Sequence, residues 1–510
     1  MSYPAFAERF GALNDLLNIA NLLTWDFRVM MPPGGATTRG QQMATLMGMA
    51  QAMLMSDDTL RLIEAAETAV AHLPEGCDER LAVAHARDAV ALHRRIPAEL
   101  NRRRAELNLT GQAIWAEARA RNDFDLLRPV FEEHVEICRR LADCIGYDAH
   151  PHDAMISIYE PGADTAALAA LFAELRKGLA PLLAEVALAP QPPAGFLHGD
   201  YPEDRQRAFA TQIADAFGYD FRRGRLDTAP HPFEISQTRE DVRITTRFHR
   251  SNIVSALQGT MHEVGHALYE QNIGPELTRG VMVTDLLGLY AVGGISFGVH
   301  ESQSRLWENR VGRSRGFWER HFGALHDLFP ETLAGVDAEA FWRAYNRVRP
   351  GLIRTEADEL TYDFHIMLRV EMERRLLDGS LRVADMPGAW AEAMRADLGL
   401  DVPEDRQGVL QDMQWSAGQF GIFCGYTVGN VLAAQIFEAA HASDPAIGPA
   451  LEGGDYAGLL GWLTRAVYRH GRREGREAML TRVTGRGMDV RPYIRALRAR
   501  YSEIYALSPA

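Results

Sequence analysis

Apolar residues recur every three or four positions along most of this chain, the spacing of helices that bury one face. The pattern predicts a helix over 4–24 leading into Trp25-Asp26, with the MMPPGGA run at 30–36 as a firm turn. Further helices are expected over about 37–71, 78–107 and 110–145. Ile158 to Gly162 interrupts the pattern before another helix at about 164–187. APQPPAG at 189–195 is a proline-rich connection, too short for a free linker. It divides one domain, 1–510, into an N-terminal helical part (1–190) and a second helical part (191–510) that carries the candidate chemistry. Strict alternation occurs once, from Asp241 to Phe248. Val242, Ile244, Thr246 and Phe248 fall on one face, and Arg243, Thr245 and Arg247 on the other. Phe233 to Ser236 is placed to pair with that strand, so a small sheet is expected over about 233–248. Helices resume after residue 300, and the fold class is mainly α.

The stretch Ser251 to Ile273 follows the sheet directly and reads as one amphipathic helix. Ser251 or Asn252 caps its start, and Gly274-Pro275 stops it. Val254, Leu257, Met261, Val264 and Leu268 make its apolar face. Within it lies HEVGH, and His262 and His266 stand one turn apart on the same side. That spacing lets two imidazoles share one Zn²⁺, with Glu263 beside them as a general base. The plainer reading is a buried helix whose histidines bond to backbone. A third ligand separates the two readings.

Glu301, in GVHESQSRLWEN at 298–309, is the natural third ligand and completes His₂Glu, with Glu308 as the runner-up. His300, Ser302 and Gln303 are placed to orient the ligands. The alternative is a solvated, capped helix. Downstream, Pro350 to Glu359 is expected to open a helix carrying Arg354, Glu356, Asp358 and Glu359. An arginine fork suits a peptide's terminal carboxylate. The rival is a surface i,i+4 pair of Arg354 with Asp358. Tyr426, flanked by glycines, is a candidate donor to an oxyanion. Asp412 and Gln411 are candidates to orient ligands or substrate. His231, before a proline and the strand, is either a turn residue or a pocket-lining group.

Composition narrows the partners. Lys and Arg number 54 against 68 Asp and Glu, a formal charge of −14, which disfavours nucleic acid and anionic membrane. The clusters Arg102-Arg103-Arg104 and Arg472-Arg473 then read as solvated helix faces. Four cysteines without a Cys-x-x-Cys pair fit a reducing compartment and argue against cysteine ligation. The first residues mix charges into their apolar pattern, and no apolar run is long enough to span a membrane. The expected location is the cytoplasm.

Taken together, these motifs resemble the M32 family of zinc metallocarboxypeptidases, the carboxypeptidase Taq type. The resemblance runs through Trp25-Asp26 with MPPGGA, Tyr159-Glu160-Pro161-Gly162, GYDFRRGRLD at 218–227 and His231-Pro232-Phe233. It continues through Asp241-x-Arg243-x-Thr245, HEVGH, HESQS, Ile353 to Asp358 and Gly408-x-x-Gln411-Asp412. It implies an almost wholly helical peptidase fold with a deep active-site groove, a minor sheet beside the HExxH helix, and a homodimer. It implies removal of C-terminal residues from peptides with a free C-terminus, with broad specificity and little action at a C-terminal proline. Carried over by motif, His262, His266 and Glu301 are the metal ligands and Glu263 the general base. His231, Arg354 and Tyr426 serve substrate or transition state. Zn²⁺ is the implied metal, and a His₂Glu set also accepts Co²⁺ or Mn²⁺.

The sequence departs from the family in three places. The span between HEVGH and HESQS is longer than usual and is expected to add a loop or helical turn near the pocket mouth. Gln414 stands where the family has a histidine, and Cys424-Gly425 where Pro-Thr is usual. Two rival functions remain: a helical zinc oligopeptidase that cuts internally, and a peptide-binding scaffold without chemistry.

Overall fold

The computed structural model of the chain describes residues 2–508. Its N-terminal part is all helical: α1 (Tyr3–Val29), α2 (Ala36–Met55), α3 (Asp57–Val70), α4 (Asp78–Arg95), α5 (Ala98–Arg121), α6 (Phe124–Ile145), α7 (Pro151–Tyr159) and α8 (Thr165–Leu188). α6 shows why. Phe124, Leu127, Phe131, Val135, Cys138, Leu141 and Ala142 repeat at helical spacing, and all are buried.

The periodicity finds these helices but misplaces several ends. α1 runs on through Trp25, whose buried ring meets the guanidinium groups of Arg243 (4.3 Å) and Arg225 (5.1 Å). The expected 37–71 helix breaks at Ser56, which is extended and caps α3 by accepting from the Thr59 amide. The expected gap near 108–109 lies in mid-helix instead. The real breaks fall at Pro97 and at Asn122, whose left-handed φ of 56° closes α5.

Next come α9 (Glu203–Phe217), β1 (Gly224–Thr228), β2 (Glu234–Thr238), β3 (Asp241–Thr246) and α10 (Ile253–Gln271). The predicted β2–β3 pairing is present, antiparallel and irregular between Ser236 and Thr238. β1, not expected, adds to the other edge of β3 in parallel. β3 also departs from strict alternation. Thr245 is buried because its hydroxyl bonds the Phe233 amide and carbonyl, and Phe248 lies beyond the strand in a small cluster with Ala210 and Ala256.

The long span before HESQS folds as two 3₁₀ turns and a short hairpin, β4 (Thr284–Asp285) with β5 (Tyr290–Ala291). It docks on the N-terminal helices: Asn14 bonds Thr284, and His93 bonds the Leu286 carbonyl.

The rest is α11 (Phe297–Arg305), α12 (Arg315–Leu328), α13 (Ala338–Tyr345), α14 (Tyr362–Leu377), α15 (Met386–Leu398), α16 (Cys424–Ser443), α17 (Ile447–Glu452), α18 (Ala457–Ala466), α19 (Arg476–Thr484) and α20 (Arg491–Tyr505). No helix opens at Pro350. Arg354–Glu356 is a 3₁₀ turn between extended Ile353 and Ala357, and α14 starts only at Tyr362. Arg472-Arg473 is not a solvated helix face: Arg473 pairs with Asp78 and Glu276 on a loop. One continuous apolar core runs from Phe6 in α1 to Tyr505 in α20. No helix among the described residues is long and apolar enough to cross a membrane.

Candidate metal centre and active site

α10 sets His262, Glu263 and His266 along one face by its 3.6-residue repeat. Asn252 caps its start, accepting from the Val254 amide at 2.8 Å. α11 packs against it at backbone contact. A Cβ on Gly265 would lie 2.5 Å from the Gln303 carbonyl oxygen and 2.6 Å from Ser304 Cα. α16 closes on α11 in the same way, because a Cβ on Gly429 would lie 2.7 Å from Glu301 Cγ. Two glycines thus let three helices converge on Glu301.

His262 Nε2 lies 3.8 Å from Glu301 Oε1, and His266 Nε2 lies 3.4 Å from Glu301 Oε2. One donor atom from each of the three residues falls within 4.8 Å of the others. Donors about 2.1 Å from one tetrahedral ion stand roughly 3.4 Å apart, so this N,N,O set fits a divalent metal.

The remaining ring nitrogens are spoken for. His262 Nδ1 meets Glu308 Oε2 at 3.0 Å. His266 Nδ1 meets His300 Nδ1 at 2.6 Å, and His300 Nε2 meets Glu270 Oε1 at 3.0 Å. Glu270 in turn accepts the Gly293 and Gly294 amides. Protons on Nδ1 of His262 and His266 satisfy this network and leave both Nε2 lone pairs facing Glu301. Glu308, the runner-up ligand, therefore supports His262, and it reaches that ring from the π-helical turn Leu306–Val311 that continues α11. His300 orients His266 as expected. Ser302 and Gln303 do not face the cluster: Ser302 bonds the Val299 carbonyl, and Gln303 bonds Ser302 and Tyr468 in the core.

A second buried cluster adjoins the first. Arg354 donates Nε and Nη2 to Asp412 Oδ1 at 2.9 and 2.7 Å, and Arg369 Nε donates to Asp412 Oδ2 at 2.6 Å. Gln411 Oε1 accepts from the Arg354 amide and from Arg369 Nη2. The surface pair with Asp358 is therefore absent: Asp358 accepts from the Arg349, Leu360 and Thr361 amides instead. Arg354 faces the Tyr426 ring at 5.1 Å and donates Nη1 to Tyr362 Oη at 3.1 Å. Tyr426 sits in the first turn of α16, and no described residue bonds its hydroxyl.

His231 is exposed, and no described hydrogen bond ties its ring to either cluster. Its neighbour Pro232 lies against α10 at Gly259, one turn before Glu263.

Residues 5–501 match the family described as carboxypeptidase Taq (M32) metallopeptidase. The chain belongs to that family. Thermostable carboxypeptidase 1 of Thermus thermophilus is 37% identical over 500 residues, 96% of each chain. Carboxypeptidase 1 of Bacillus subtilis is 34% identical over 95% of each. The crystal structure of an M32 carboxypeptidase from Deinococcus radiodurans R1 superposes with a TM-score of 0.94 at 39% identity, covering 99% of each chain. This M32 chain is thus a metallocarboxypeptidase, a peptide hydrolase that works with a divalent metal.

Electrostatics separates the roles within the M32 site. Burial pushes the Glu263 carboxyl up to about 7, Glu301 and Glu308 add to this, and His262 and the Glu234 amide oppose it. Glu263 is thus a buried carboxyl that titrates near neutrality. Burial also acts on Glu301, but His262, Arg305 and His266 outweigh it and hold that carboxyl far below the usual range. Glu308 is likewise buried, yet Arg305 and His262 hold it at about 2. Burial pushes His266 down to about 3, which keeps its imidazole neutral and able to ligate.

The sequence reading missed Arg305, Glu270, Tyr362 and Arg369. Arg305 had a signal: it follows Glu301 by four residues, the spacing of a helical ion pair. The other three come together only through tertiary packing. At the remaining departures, Gln414 precedes a buried Trp415 that donates to Glu373 at 2.7 Å. Cys424 is buried, which pushes its thiol up and leaves it unreactive. A Cβ on Gly425 would lie 2.4 Å from Phe297, so that position serves close packing of α16 on α11.

Proposed function

We propose that this enzyme removes C-terminal residues from peptides with broad specificity, using Zn²⁺ held by His262, His266 and Glu301. The convergence of those three donors beside the buried Glu263 carboxyl carries the reading. Bound there, the ion would supply Lewis acidity, polarising the scissile carbonyl and acidifying the attacking water. Glu263 takes the proton of that water at a carboxylate oxygen and returns it to the nitrogen of the departing residue. The Tyr426 hydroxyl, without a hydrogen-bond partner among the described residues, donates to the developing oxyanion, and His231 lines the approach. Arg354, held rigid by Asp412 with Gln411 behind it, meets the free α-carboxylate. That contact makes the enzyme an exopeptidase. The same reading places it in the cytoplasm as a homodimer and a single domain, acting on neither nucleic acid nor membrane.

Glu263→Gln should abolish turnover while bound zinc stays near one per chain; full activity in that variant refutes the assignment. The rival reading is an endopeptidase on the same helix. A peptide with an amidated C-terminus decides between them, because Arg354 then has no carboxylate to grip. Cleavage should vanish, whereas an endopeptidase would cut it as before.

A further inference from the structure

Arg305 has no part in the steps above, yet its guanidinium reaches into the metal centre from the end of α11. Its Nε donates to Glu301 Oε1 at 2.9 Å and its Nη1 to Glu308 Oε2 at 3.2 Å. Glu308 Oε2 is the same atom that meets His262 Nδ1. One planar fork thus grips a candidate ligand and the carboxylate that orients another. The other side of the guanidinium lies over the Tyr362 ring at 4.5 Å, and Tyr362 accepts from Arg354. Only 14% of the Arg305 side chain is exposed.

The two oxygens of Glu301 are divided between partners. Oε1 accepts from Arg305 at 2.9 Å and lies farther, 3.8 Å, from His262 Nε2, whereas Oε2 has no arginine on it and stands 3.4 Å from His266 Nε2. An unconstrained carboxylate can offer a cation both oxygens, and doing so fills the position a catalytic site must keep open. We infer that Arg305 is a positioning residue that reserves Oε1 of Glu301, so that this carboxylate offers the metal a single oxygen. This inference rests on the His262–His266–Glu301 site proposed above. It has a counterintuitive consequence. Arg305 is a buried cation beside the place of a dication, and it competes for a ligand's charge. Its presence therefore weakens metal binding while keeping a coordination position free.

The test compares the full-length wild type with Arg305→Met and Arg305→Lys, loaded with Zn²⁺ or Co²⁺. In Arg305→Met, chelator competition should give zinc affinity roughly ten-fold higher, from the lost like-charge repulsion. The visible absorption of the Co²⁺ form should fall toward that of a five-coordinate ion, and turnover should drop. A scaffolding residue behaves in the opposite way, since loss of an outer support typically weakens metal binding about 10- to 100-fold. Weaker zinc binding with an unchanged Co²⁺ spectrum overturns the inference. Arg305→Lys retains the charge but not the fork, so it should leave zinc affinity near wild type and still shift the Co²⁺ spectrum. An unshifted spectrum there overturns the inference even if the methionine variant does not fold. A wild type that binds no stoichiometric metal, or a His266→Ala variant that binds it normally, refutes the proposed metal site itself and is recognised without either Arg305 variant.

Discussion

Asp412 answers two arginines with one carboxylate, and nearly all of it is buried. Burial raises its pKa, but Arg354 and Arg369 outweigh that and hold it at about 2 against an ordinary 3.8. A depressed carboxyl stabilises the fold when ionised. The contribution is complete above the unfolded value near pH 4 and is lost as pH falls toward 2. It amounts to something on the order of 2 kcal/mol. Asp412→Asn removes the charge and strands two buried guanidiniums, which should cost about 3–5 kcal/mol at neutral pH. Urea unfolding at pH 5 and near pH 2 checks both statements. The gap between wild type and variant should narrow by the pH-dependent part as pH drops. A gap that stays constant would mean that Asp412 carries no such linkage. The sequence marked Asp412, Gln411 and Arg354 as candidates from their types alone. The rival surface pair of Arg354 with Asp358 is absent, and the true partner was not legible because it lies 58 positions away, with nothing local to tie the two. His262, His266 and Glu301 could be singled out as candidates for the opposite reason: two stand one turn apart on α10, and the third lies in the polar motif of α11, the next helix.

Helix–helix approach fixes the candidate ligand cluster at the level of elements. Gly265 lies inside HEVGH, where the absence of a Cβ lets α10 touch the backbone of α11. The atoms it would strike are a carbonyl oxygen and a Cα, neither of which can swing aside. Gly265→Ala should therefore push α11 outward by a few tenths of an ångström or more, carrying Glu301 away from the two histidines. Overpacking of this kind costs about 1–3 kcal/mol. Metal affinity should fall further than stability suggests, roughly 10- to 100-fold, because ligand spacing is what changes. Metal content after dialysis against a weak chelator, set beside the melting temperature, separates the two effects. Wild-type metal content in this variant would show that α11 has room to yield. The helices themselves were largely legible, since burial of one face imposes their period. Their ends were not, because Ser56, Pro97 and Asn122 act through single backbone geometries that periodicity does not register. β1 escaped notice because Leu226 is the one apolar side chain in GRLDT, too little to show an alternating pattern, and its parallel pairing with β3 skips over β2.

At the scale of the whole molecule, the N-terminal helices are wired into the catalytic part. Asn21 of α1 donates its amide to the Ser236 carbonyl on β2 at 2.8 Å and to the Ala291 carbonyl on β5 at 3.0 Å. Glu160, at the end of α7, is fully buried and accepts from Ser296, the Gly298 amide and Arg476, so it sits under the first turn of α11. The proline-rich connection at 189–195 thus joins two parts that share one core, and the chain should unfold as a single unit. Asn21→Ala leaves two buried carbonyls without a donor and should cost about 1–3 kcal/mol in that one transition. Calorimetry should show one endotherm in both proteins, shifted down in the variant, with loss of bound metal following the same curve. A fragment of residues 191–510 should not fold alone, because removing α1 uncovers β2 and removing α7 takes away the partner of the Gly298 amide. If that fragment bound metal and melted cooperatively, the two parts would be separate domains. The Asn21 and Glu160 contacts would then be docking between them.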